Sequence, residues 1–412
     1  MGRLLIAATL CAAVVAPSAA LAQEPSPPGA AFIGDSIGYF ALDEITQEVT
    51  RSRPLPLAAA LQGTTIRNAL PLVREQVARP DAPPIWVIGL GHVDASLHFS
   101  PARMQRDIHS MLEAVAPHVD CVRWLDITEQ RGFYPGLNAL AGTFNHLLRS
   151  ASRGYDNVEV MPYSAWAALA PPGDFLADNV HHTAHGEREL GRLVRQAADG
   201  CDPMTNSGPV WDVPNTDPAA GAIAWTGDRH LVRAYSDRTY RARLGSIAVR
   251  ATRGTLAYAV WRRAGEPRGY PASRFDDIPV WLRPALAWLD HEGLATGSGR
   301  DRYRPGAVAT RAWSIDLLWR VAGAPRPEDR QPWVDAPGDL RPALRWLVST
   351  GLRSVFPGTE IVPTRALTRA RLAQLLAPPA VAPPGPTSPP HVDPAPTEVI
   401  VRDEADGSGR SS

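Results

Sequence analysis

The sequence predicts an α/β domain with a doubly wound parallel sheet of about five strands, followed by an all-α domain. Between about residues 31 and 202, short apolar runs alternate with helical patterns, and continuous apolar runs indicate strands that are covered on both faces. Beyond Cys201 the chain repeats itself, and nine of its 12 tryptophans lie between Trp211 and Trp346. The two halves therefore differ in architecture.

Five apolar runs predict the strands of the sheet. In chain order they are AAFIG, LPLAAALQ, PIWVIGL, CVRWLDI and NVEVMPY. Ser100 precedes a helical pattern with apolar residues on one face, and further helices are predicted over 137–152 and 186–198. Because strands alternate with helices, the crossovers are right-handed and functional sites gather at the carboxyl ends of the strands.

The second half contains three copies of one pattern. RPALAWL at Arg283 recurs as RPALRWL at Arg341, 58 residues later. The copies cover about 208–266, 272–324 and 330–377, and the first has five extra residues between Tyr240 and Thr252. Each copy predicts a helix, a glycine-rich loop and a second helix capped by threonine. We expect three helical hairpins in one domain over 208–377.

The two ends of the chain have the composition of segments outside these domains. Residues 1–22 have a positive start, a run of apolar residues and a small-x-small site, which predicts a cleavable signal peptide. The first domain is then 23–205, and the product is secreted without a membrane span. Residues 378–412 are rich in proline and then acidic, which predicts a disordered tail.

Cysteine content and charge narrow the class of protein. Cys121 and Cys201 are the cysteines outside the predicted signal, and an even number in an oxidising compartment predicts one disulfide.

Forty-two basic residues balance 42 acidic ones, so no net field holds the chain on nucleic acid or an anionic bilayer. All the basic residues are arginine, which excludes catalysis by a lysine.

Three polar residues suit nucleophilic catalysis. Ser36 lies in GDSIG at the carboxyl end of the first predicted strand, and Asp178 and His181 lie three residues apart before the last helix of this domain. A serine hydroxyl becomes a useful nucleophile when a histidine takes its proton and a carboxylate orients that histidine. A serine at a helix start also presents its own backbone N–H to an oxyanion.

The joint pattern resembles the SGNH or GDSL hydrolase family. Four motif blocks carry the resemblance: a strand followed by GDSIG, Gly63 after the second strand, G-x-x-D at Gly91–Asp94 after the third, and D-x-x-H before the final helix. The third block departs from the family's Gly-x-Asn-Asp, because Val93 stands where the family has an asparagine that donates to the oxyanion. His92 is either a replacement donor or a buried or exposed histidine without that role.

The resemblance covers about residues 30–201 and implies a flavodoxin-like fold. It implies that Ser36 is the nucleophile, that His181 is the base and that Asp178 orients His181. The backbone N–H groups of Ser36 and Gly63 would form the oxyanion hole.

A metal site is the alternative for three nearby histidines. His181 and His185 are spaced to share a helix face, with His182 beside them. Zinc hydrolases place a glutamate inside such a spacing, whereas Thr183-Ala184 fills it here. We therefore expect no metal and no cofactor, with His182 and His185 solvated or capping the last helix.

The three copies resemble S-layer homology repeats. Each opens with an aromatic-Asp-x-Pro-like turn, WDVP, FDDIP or WVDAP, and ends in a Thr-Arg helix. The resemblance implies a pseudo-threefold bundle that binds acidic cell-wall polysaccharide, with Arg253, Arg311 and Arg369 as candidate glycan-binding residues. The alternative is that these arginines cap helices or form interface contacts. None of the Thr-Arg pairs continues to the family's Ala-Glu.

Together these features predict a secreted serine esterase or acyl hydrolase that S-layer-homology repeats tether to cell-wall glycan at the cell surface. Its substrate would be a small ester or an acylated sugar, such as an acetylated wall glycan, with water or a sugar hydroxyl as acceptor. The alternative is a non-catalytic envelope-binding protein with a degenerate SGNH domain.

Overall fold

The computed structural model describes most of both predicted domains. The described residues are 27–129, 137–201, 210–235, 238–297, 301–326 and 333–378. The predicted signal peptide at 1–22, the predicted boundary at 205–208 and the predicted tail beyond Pro378 lie outside the described residues. Within the described residues, no helix is long and apolar enough to cross a bilayer.

The first half forms a five-stranded parallel sheet with helices on both sides. Its strands are β1 (Ala30–Gly34), β2 (Leu57–Ala60), β3 (Ile85–Gly89), β4 (Cys121–Leu125) and β5 (Val158–Met161). They lie in the order β2-β1-β3-β4-β5, and all pairs are parallel. The predicted doubly wound fold is confirmed. Gly34 is in register with Ala60 and with Gly89, so β1, β2 and β3 end at one edge.

Eight α-helices of this half lie among the described residues. They are α1 (Ser36–Phe40), α2 (Leu42–Thr50), α3 (Ile66–Val77), α4 (His92–Ser96), α5 (Pro101–Val115), α6 (Leu137–Ser152), α7 (Tyr163–Leu169) and α8 (Ala184–Asp199). Helix α5 begins as predicted, with the Ser100 hydroxyl accepting from the Arg103 N–H at 3.3 Å. Helix α8 begins two residues earlier than predicted, because Thr183 caps it. The pattern did not predict α3, which carries Pro71 in its interior.

A disulfide joins the sheet to the last helix of this half. Cys121 begins β4, Cys201 follows α8, and the two are 80 residues apart in sequence. The predicted pairing is confirmed. The bond restrains the segment that carries Asp178 and His181, since both residues lie between the two cysteines.

In the described part of the second half, the regular elements are helices and one short hairpin. Its elements are α9 (Ala220–Asp228), β6 (Arg243–Leu244), β7 (Ile247–Ala248), α10 (Arg253–Arg263), α11 (Arg283–His291), α12 (Arg311–Val321), α13 (Arg341–Ser349) and α14 (Arg369–Leu376). Threonine caps the second helix of each copy: the hydroxyls of Thr252, Thr310 and Thr368 each accept a backbone N–H from the first turn. The predicted caps are confirmed.

A closed ring of backbone hydrogen bonds relates the three copies. Ala251 N–H donates to the Leu367 carbonyl at 2.8 Å, Leu367 N–H to the Ala309 carbonyl at 2.8 Å, and Ala309 N–H to the Ala251 carbonyl at 3.0 Å. These residues are 58 positions apart, so equivalent groups bond in a cycle. The second half therefore has the pseudo-threefold arrangement that was expected.

The prediction of three helical hairpins is wrong in its pairing. Helix α10 packs on α11, α12 on α13, and α14 returns to α9. The second helix of each copy thus packs most closely against the first helix of the next copy. Periodicity within one copy does not encode this pairing, because contacts between copies set it.

One repeated aspartate shapes the turn at the start of each copy. Asp212 accepts from the Tyr240 and Arg241 N–H groups at 2.7 and 2.6 Å. Asp277 and Asp335 each accept two successive N–H groups in the same way. The aromatic-Asp-x-Pro-like turns therefore close the glycine-rich loops through charge-assisted hydrogen bonds.

The five extra residues of the first copy lie in one of the contacts between the two halves, which also include an ion pair of Arg238 with Glu159 and the Arg123 guanidinium over the Trp211 ring. They fall in the segment that makes the β6–β7 hairpin, and the Ser246 N–H donates to Glu189 Oε2 of α8 at 2.9 Å. The Gln196 amide of α8 donates to the Arg243 carbonyl at 3.2 Å. Leu244 is buried in the core of the first half. The insertion thus attaches the repeats to the α/β domain.

Removal of the disulfide is expected to destabilise the folded chain. Closure of an 80-residue loop restricts the unfolded ensemble, so the double variant Cys121→Ser, Cys201→Ser should lose about 4 kcal/mol of unfolding free energy. Urea unfolding of oxidised wild type and of the variant measures the difference, with reduced wild type as the control. Equal unfolding curves for all three samples would contradict this expectation.

Candidate active site

The segment after β1 places Ser36 at the start of a helix. Asp35 is the N-cap of α1, and its Oδ1 accepts the Ile37 N–H at 3.1 Å. The turn is tight, because a Cβ on Gly38 would lie 2.8 Å from the Phe32 ring. Ser36 is the first residue of the helix, so its own N–H lacks an intrahelical acceptor.

The structure brings the three predicted polar residues together. His181 Nε2 lies 3.1 Å from Ser36 Oγ, and His181 Nδ1 lies 2.6 Å from Asp178 Oδ2. An ionised carboxylate only accepts, so Nδ1 carries the proton and donates to Asp178. Nε2 is then free to accept the Ser36 hydroxyl proton. The order of groups is that of a Ser-His-Asp triad.

A short loop fixes Asp178 and His181 relative to each other. Asp178 Oδ1 accepts the N–H groups of Val180 and His181 at 3.0 Å each. Burial raises the pKa of the Asp178 carboxyl, but these hydrogen bonds and the one from the His181 ring outweigh it, and the pKa lies below its ordinary value. Asp178 is therefore ionised at neutral pH and orients His181.

Two backbone N–H groups are available for an oxyanion. Gly63 has a φ of +69°, a left-handed conformation, and a Cβ there would meet nothing within 4 Å. Its loop is joined to β1 by the Leu61 N–H, which donates to the Gly34 carbonyl at 3.1 Å. The N–H groups of Ser36 and Gly63 donate to no acceptor within the described residues.

Hydrogen bonds connect the third motif block, Gly91–Asp94, to the segments that carry Ser36 and Gly63. Asp35 Oδ2 accepts the His92 N–H at 3.2 Å, which links the Ser36 turn to the end of β3. Asp94 Oδ2 accepts the Ile66 N–H at 3.1 Å, which holds the start of α3 just after Gly63. The buried carboxylates thus position the turns that carry both oxyanion N–H groups.

His92 lies beside the Ser36 turn, with Nδ1 3.7 Å from Asp35 Oδ2. Its ring is buried, and Nε2 accepts the Thr128 N–H at 3.4 Å, so this nitrogen serves as an acceptor. The alternative of a buried histidine describes it. Val93 is half-buried and has no polar side-chain atom to donate.

The three histidines near the start of α8 have three different partners. His181 contacts Ser36 and Asp178, while His182 Nε2 lies 2.8 Å from the Tyr163 hydroxyl and His185 Nδ1 lies 2.7 Å from Asp174 Oδ1. Burial lowers the pKa of His182 to about 3, so it is neutral. The expectation that His182 is solvated or capping is wrong, whereas His185 is exposed.

The candidate glycan-binding arginines contact neighbouring segments of the repeat domain. Arg369 Nε donates to the Tyr240 carbonyl at 2.9 Å, and Arg311 donates to the Ile361 carbonyl. Both residues are buried, at 6% and 5% exposure. Arg253 is half-buried and donates to the Thr296 carbonyl. These contacts agree with the interface alternative, and a glycan-binding role for the three stays a prediction.

Phe40 is a site residue that the sequence did not single out. Its ring packs edge-on against His181, with centroids 5.2 Å apart. The available signal was its position four residues after Ser36, which is one helical turn.

Comparisons with known proteins give structural likeness alone. Neither protein-family models nor curated proteins match this sequence. Among solved structures, it is similar to a lipase/acylhydrolase from Enterococcus faecalis, at 17% identity over 41% of this chain and 95% of the other, with a TM-score of 0.36. A GDSL-like lipase from Bacteroides thetaiotaomicron matches at 16% identity over 42% and 87%, with a TM-score of 0.36. The catalytic domain of peptidoglycan O-acetyltransferase A from Streptococcus pneumoniae matches at 15% over 42% and 93%, with a TM-score of 0.34.

The buried carboxyl of Asp94 is expected to make stability pH-dependent. Burial raises its pKa to about 6, although the Ile66 amide opposes the shift. Between about pH 4 and 6 the folded state holds a proton that the unfolded state has lost, so the free energy of unfolding falls as pH rises through this window.

Asp94→Asn removes this titration. The difference in unfolding free energy, variant minus wild type, should increase by about 2 to 3 kcal/mol from pH 4 to pH 7. Urea unfolding at both pH values measures it, with Asp81→Asn, an exposed aspartate, as the control. A difference that is constant with pH would show that Asp94 does not titrate in this way.

Proposed function

We propose that this chain is a serine esterase or acyl hydrolase, with acyl transfer to a sugar hydroxyl as a variant of the same chemistry. The observation that supports it most directly is the continuous hydrogen-bonded series Ser36, His181, Asp178. It lies at the carboxyl edge of the sheet, and the N–H groups of Ser36 and Gly63 have no acceptor within the described residues. These are the parts that acyl transfer through serine requires.

In the proposed reaction, Ser36 Oγ attacks the ester carbonyl while His181 Nε2 takes the hydroxyl proton. The N–H groups of Ser36 and Gly63 donate to the oxyanion of the tetrahedral intermediate. His181 then gives its proton to the departing alcohol, and an acyl ester of Ser36 remains. Water, or a sugar hydroxyl, loses a proton to His181 and releases the acyl group by the same steps in reverse order.

The second candidate is a non-catalytic binding protein with the same fold. The observation that favours it is Val93, since a missing oxyanion donor typically costs about 100- to 1,000-fold in turnover. Under the first proposal the enzyme works with two oxyanion donors and is slow. Under the second the site only holds a ligand.

We further propose that the chain is exported and that its second half tethers it to acidic cell-wall polysaccharide. The signal-like residues 1–22 and the resemblance of the three copies to S-layer homology repeats support this. The closed ring through Ala251, Ala309 and Leu367 is consistent with a single three-copy binding module. An acylated envelope carbohydrate is then the substrate nearest to the site.

Ester hydrolysis should depend on Ser36. We expect Ser36→Ala to lower kcat/KM for p-nitrophenyl butyrate by at least about 1,000-fold, because the nucleophile is lost. Ser349→Ala, which removes an exposed hydroxyl in the repeat domain, is the control and should retain the wild-type rate. Equal rates for wild type and Ser36→Ala would remove the enzyme proposal in favour of the binding protein.

Binding to wall material should depend on the repeats. We expect the full chain with Ser36→Ala, which cannot turn over, to sediment with purified wall sacculi and to be released by added soluble acidic wall polysaccharide. Arg253→Ala should weaken this sedimentation several-fold, because Arg253 is the least buried of the three arginines. A chain that stays in the supernatant at every salt concentration would contradict the tether.

A further inference from the structure

Large apolar side chains are exposed around the proposed nucleophile. In the described residues of the first half, six such side chains have at least 44% of their surface exposed: Tyr39, Phe40, Leu61, Leu97, Leu169 and Leu176. Four of them, Tyr39, Phe40, Leu61 and Leu176, lie on the three segments that carry the site residues. We call these four the apolar collar.

The contacts of the collar residues connect them to the segments of Ser36, Gly63 and His181. The Phe40 ring packs on the His181 ring, and the Tyr39 ring packs on Phe40 with centroids 5.4 Å apart. The Leu176 N–H donates to the His181 carbonyl at 2.9 Å. Leu61 lies two residues before Gly63, and its N–H donates to the carbonyl of Gly34, two residues before Ser36. The collar residues therefore lie on the segments that carry the histidine and the candidate oxyanion donors.

Folding does not explain this concentration of apolar surface. Single exposed apolar residues are ordinary on protein surfaces, but a cluster bordering a reactive group indicates a binding surface. Each collar residue leaves about half of its surface in water. A ligand that covers these side chains removes their apolar surface from water, which stabilises the complex.

The described cavity next to α1 is too small to hold a chain. A cavity lined by Ile37, Gly38 and His92 has a volume of about 10 Å³, which is about the space of one water molecule. Phe32 closes the turn from below, against Gly38. An apolar group on the substrate does not fit this cavity and would instead lie over the exposed collar.

We propose that the apolar collar binds an extended apolar chain of the ester, so that the preferred substrate carries an acyl or alkyl chain longer than acetyl. This inference rests on the proposed esterase function and specifies its substrate class. The leaving oxygen faces His181, so an alcohol chain contacts Phe40 and Leu176, whereas an acyl chain runs toward Leu61. Burial of each methylene raises kcat/KM by at most about fourfold.

Two ester series test the proposal with the full chain. The first varies the acyl group from p-nitrophenyl acetate to decanoate, and the second varies the alcohol from methyl to octyl acetate, followed by acid release. We expect kcat/KM to rise about tenfold or more from two to six carbons in at least one series, and that series identifies which part of the ester lies on the collar. Flat profiles in both series, with activity that still requires Ser36, would overturn the proposal.

Variants of the collar test its residues directly. Phe40→Ser and Leu61→Ser should each lower the ratio of long-chain to short-chain kcat/KM by at least about fivefold in the series whose chain contacts that residue. Val334→Ser is the control, a more exposed apolar residue in the repeat domain, and should leave the ratio unchanged. Ratios that stay at the wild-type value in both collar variants would also overturn the proposal.

A binding measurement separates this inference from the proposed function. If no ester is hydrolysed in a Ser36-dependent way, the esterase proposal fails. Calorimetry on the Ser36→Ala chain then tests whether the collar binds apolar chains, with two pairs of ligands: hexyl and methyl acetate, and hexanoate and acetate esters. In that case the longer ester of at least one pair should bind more tightly than the shorter one. If this difference is lost when Phe40→Ser or Leu61→Ser is added to Ser36→Ala, the collar is an apolar binding surface at an inactive site. Equal or undetectable binding of both esters in each pair overturns it.

Discussion

The hydrogen bond between His181 Nδ1 and Asp178 Oδ2 is the interaction on which the proposed chemistry depends. It exists because Asp178 also accepts two N–H groups of its own loop, which lower its pKa and keep it charged. The charge fixes the tautomer of His181, and the tautomer directs Nε2 at Ser36. The parallel register ends β1, β2 and β3 at one edge, so the segments that carry Ser36, Gly63 and His92 follow that edge. His181, 145 residues after Ser36, reaches the serine from the loop before α8.

The third motif block has a positioning role in this chain. Without an asparagine at position 93 it adds no oxyanion donor, but its neighbours still connect the loops of the site. Asp35 joins the Ser36 turn to His92, and Asp94 joins the start of α3 to the same segment. Both carboxylates are fully buried. A site with two backbone donors on well-fixed loops and an exposed apolar collar suits a slow reaction on an ester that is bound mainly through its apolar chain.

Much of the fold and of the site could be predicted from the sequence, and the exceptions have physical reasons. Continuous apolar runs identified all five strands, and side-chain caps identified helix starts at Ser100 and Thr310, because these are local signals. The pairing of repeat helices and the burial of Arg311 and His182 depend on tertiary contacts that periodicity does not encode. Ser36, Asp178 and His181 could be identified because their chemistry restricts residue type and order. The collar could not, because the sequence does not show which apolar side chains the fold leaves exposed.

In the proposed mechanism His181 activates Ser36, and covalent labelling tests this activation without any assumption about the substrate. The full chain is treated with phenylmethylsulfonyl fluoride, and the site and rate of sulfonylation are followed by peptide mass spectrometry. We expect one adduct in the wild type, on Ser36, and we expect it to form at least about 100-fold more slowly in His181→Ala. Labelling of Ser36 at the same rate in both proteins, or no labelling of Ser36 in the wild type, would contradict it.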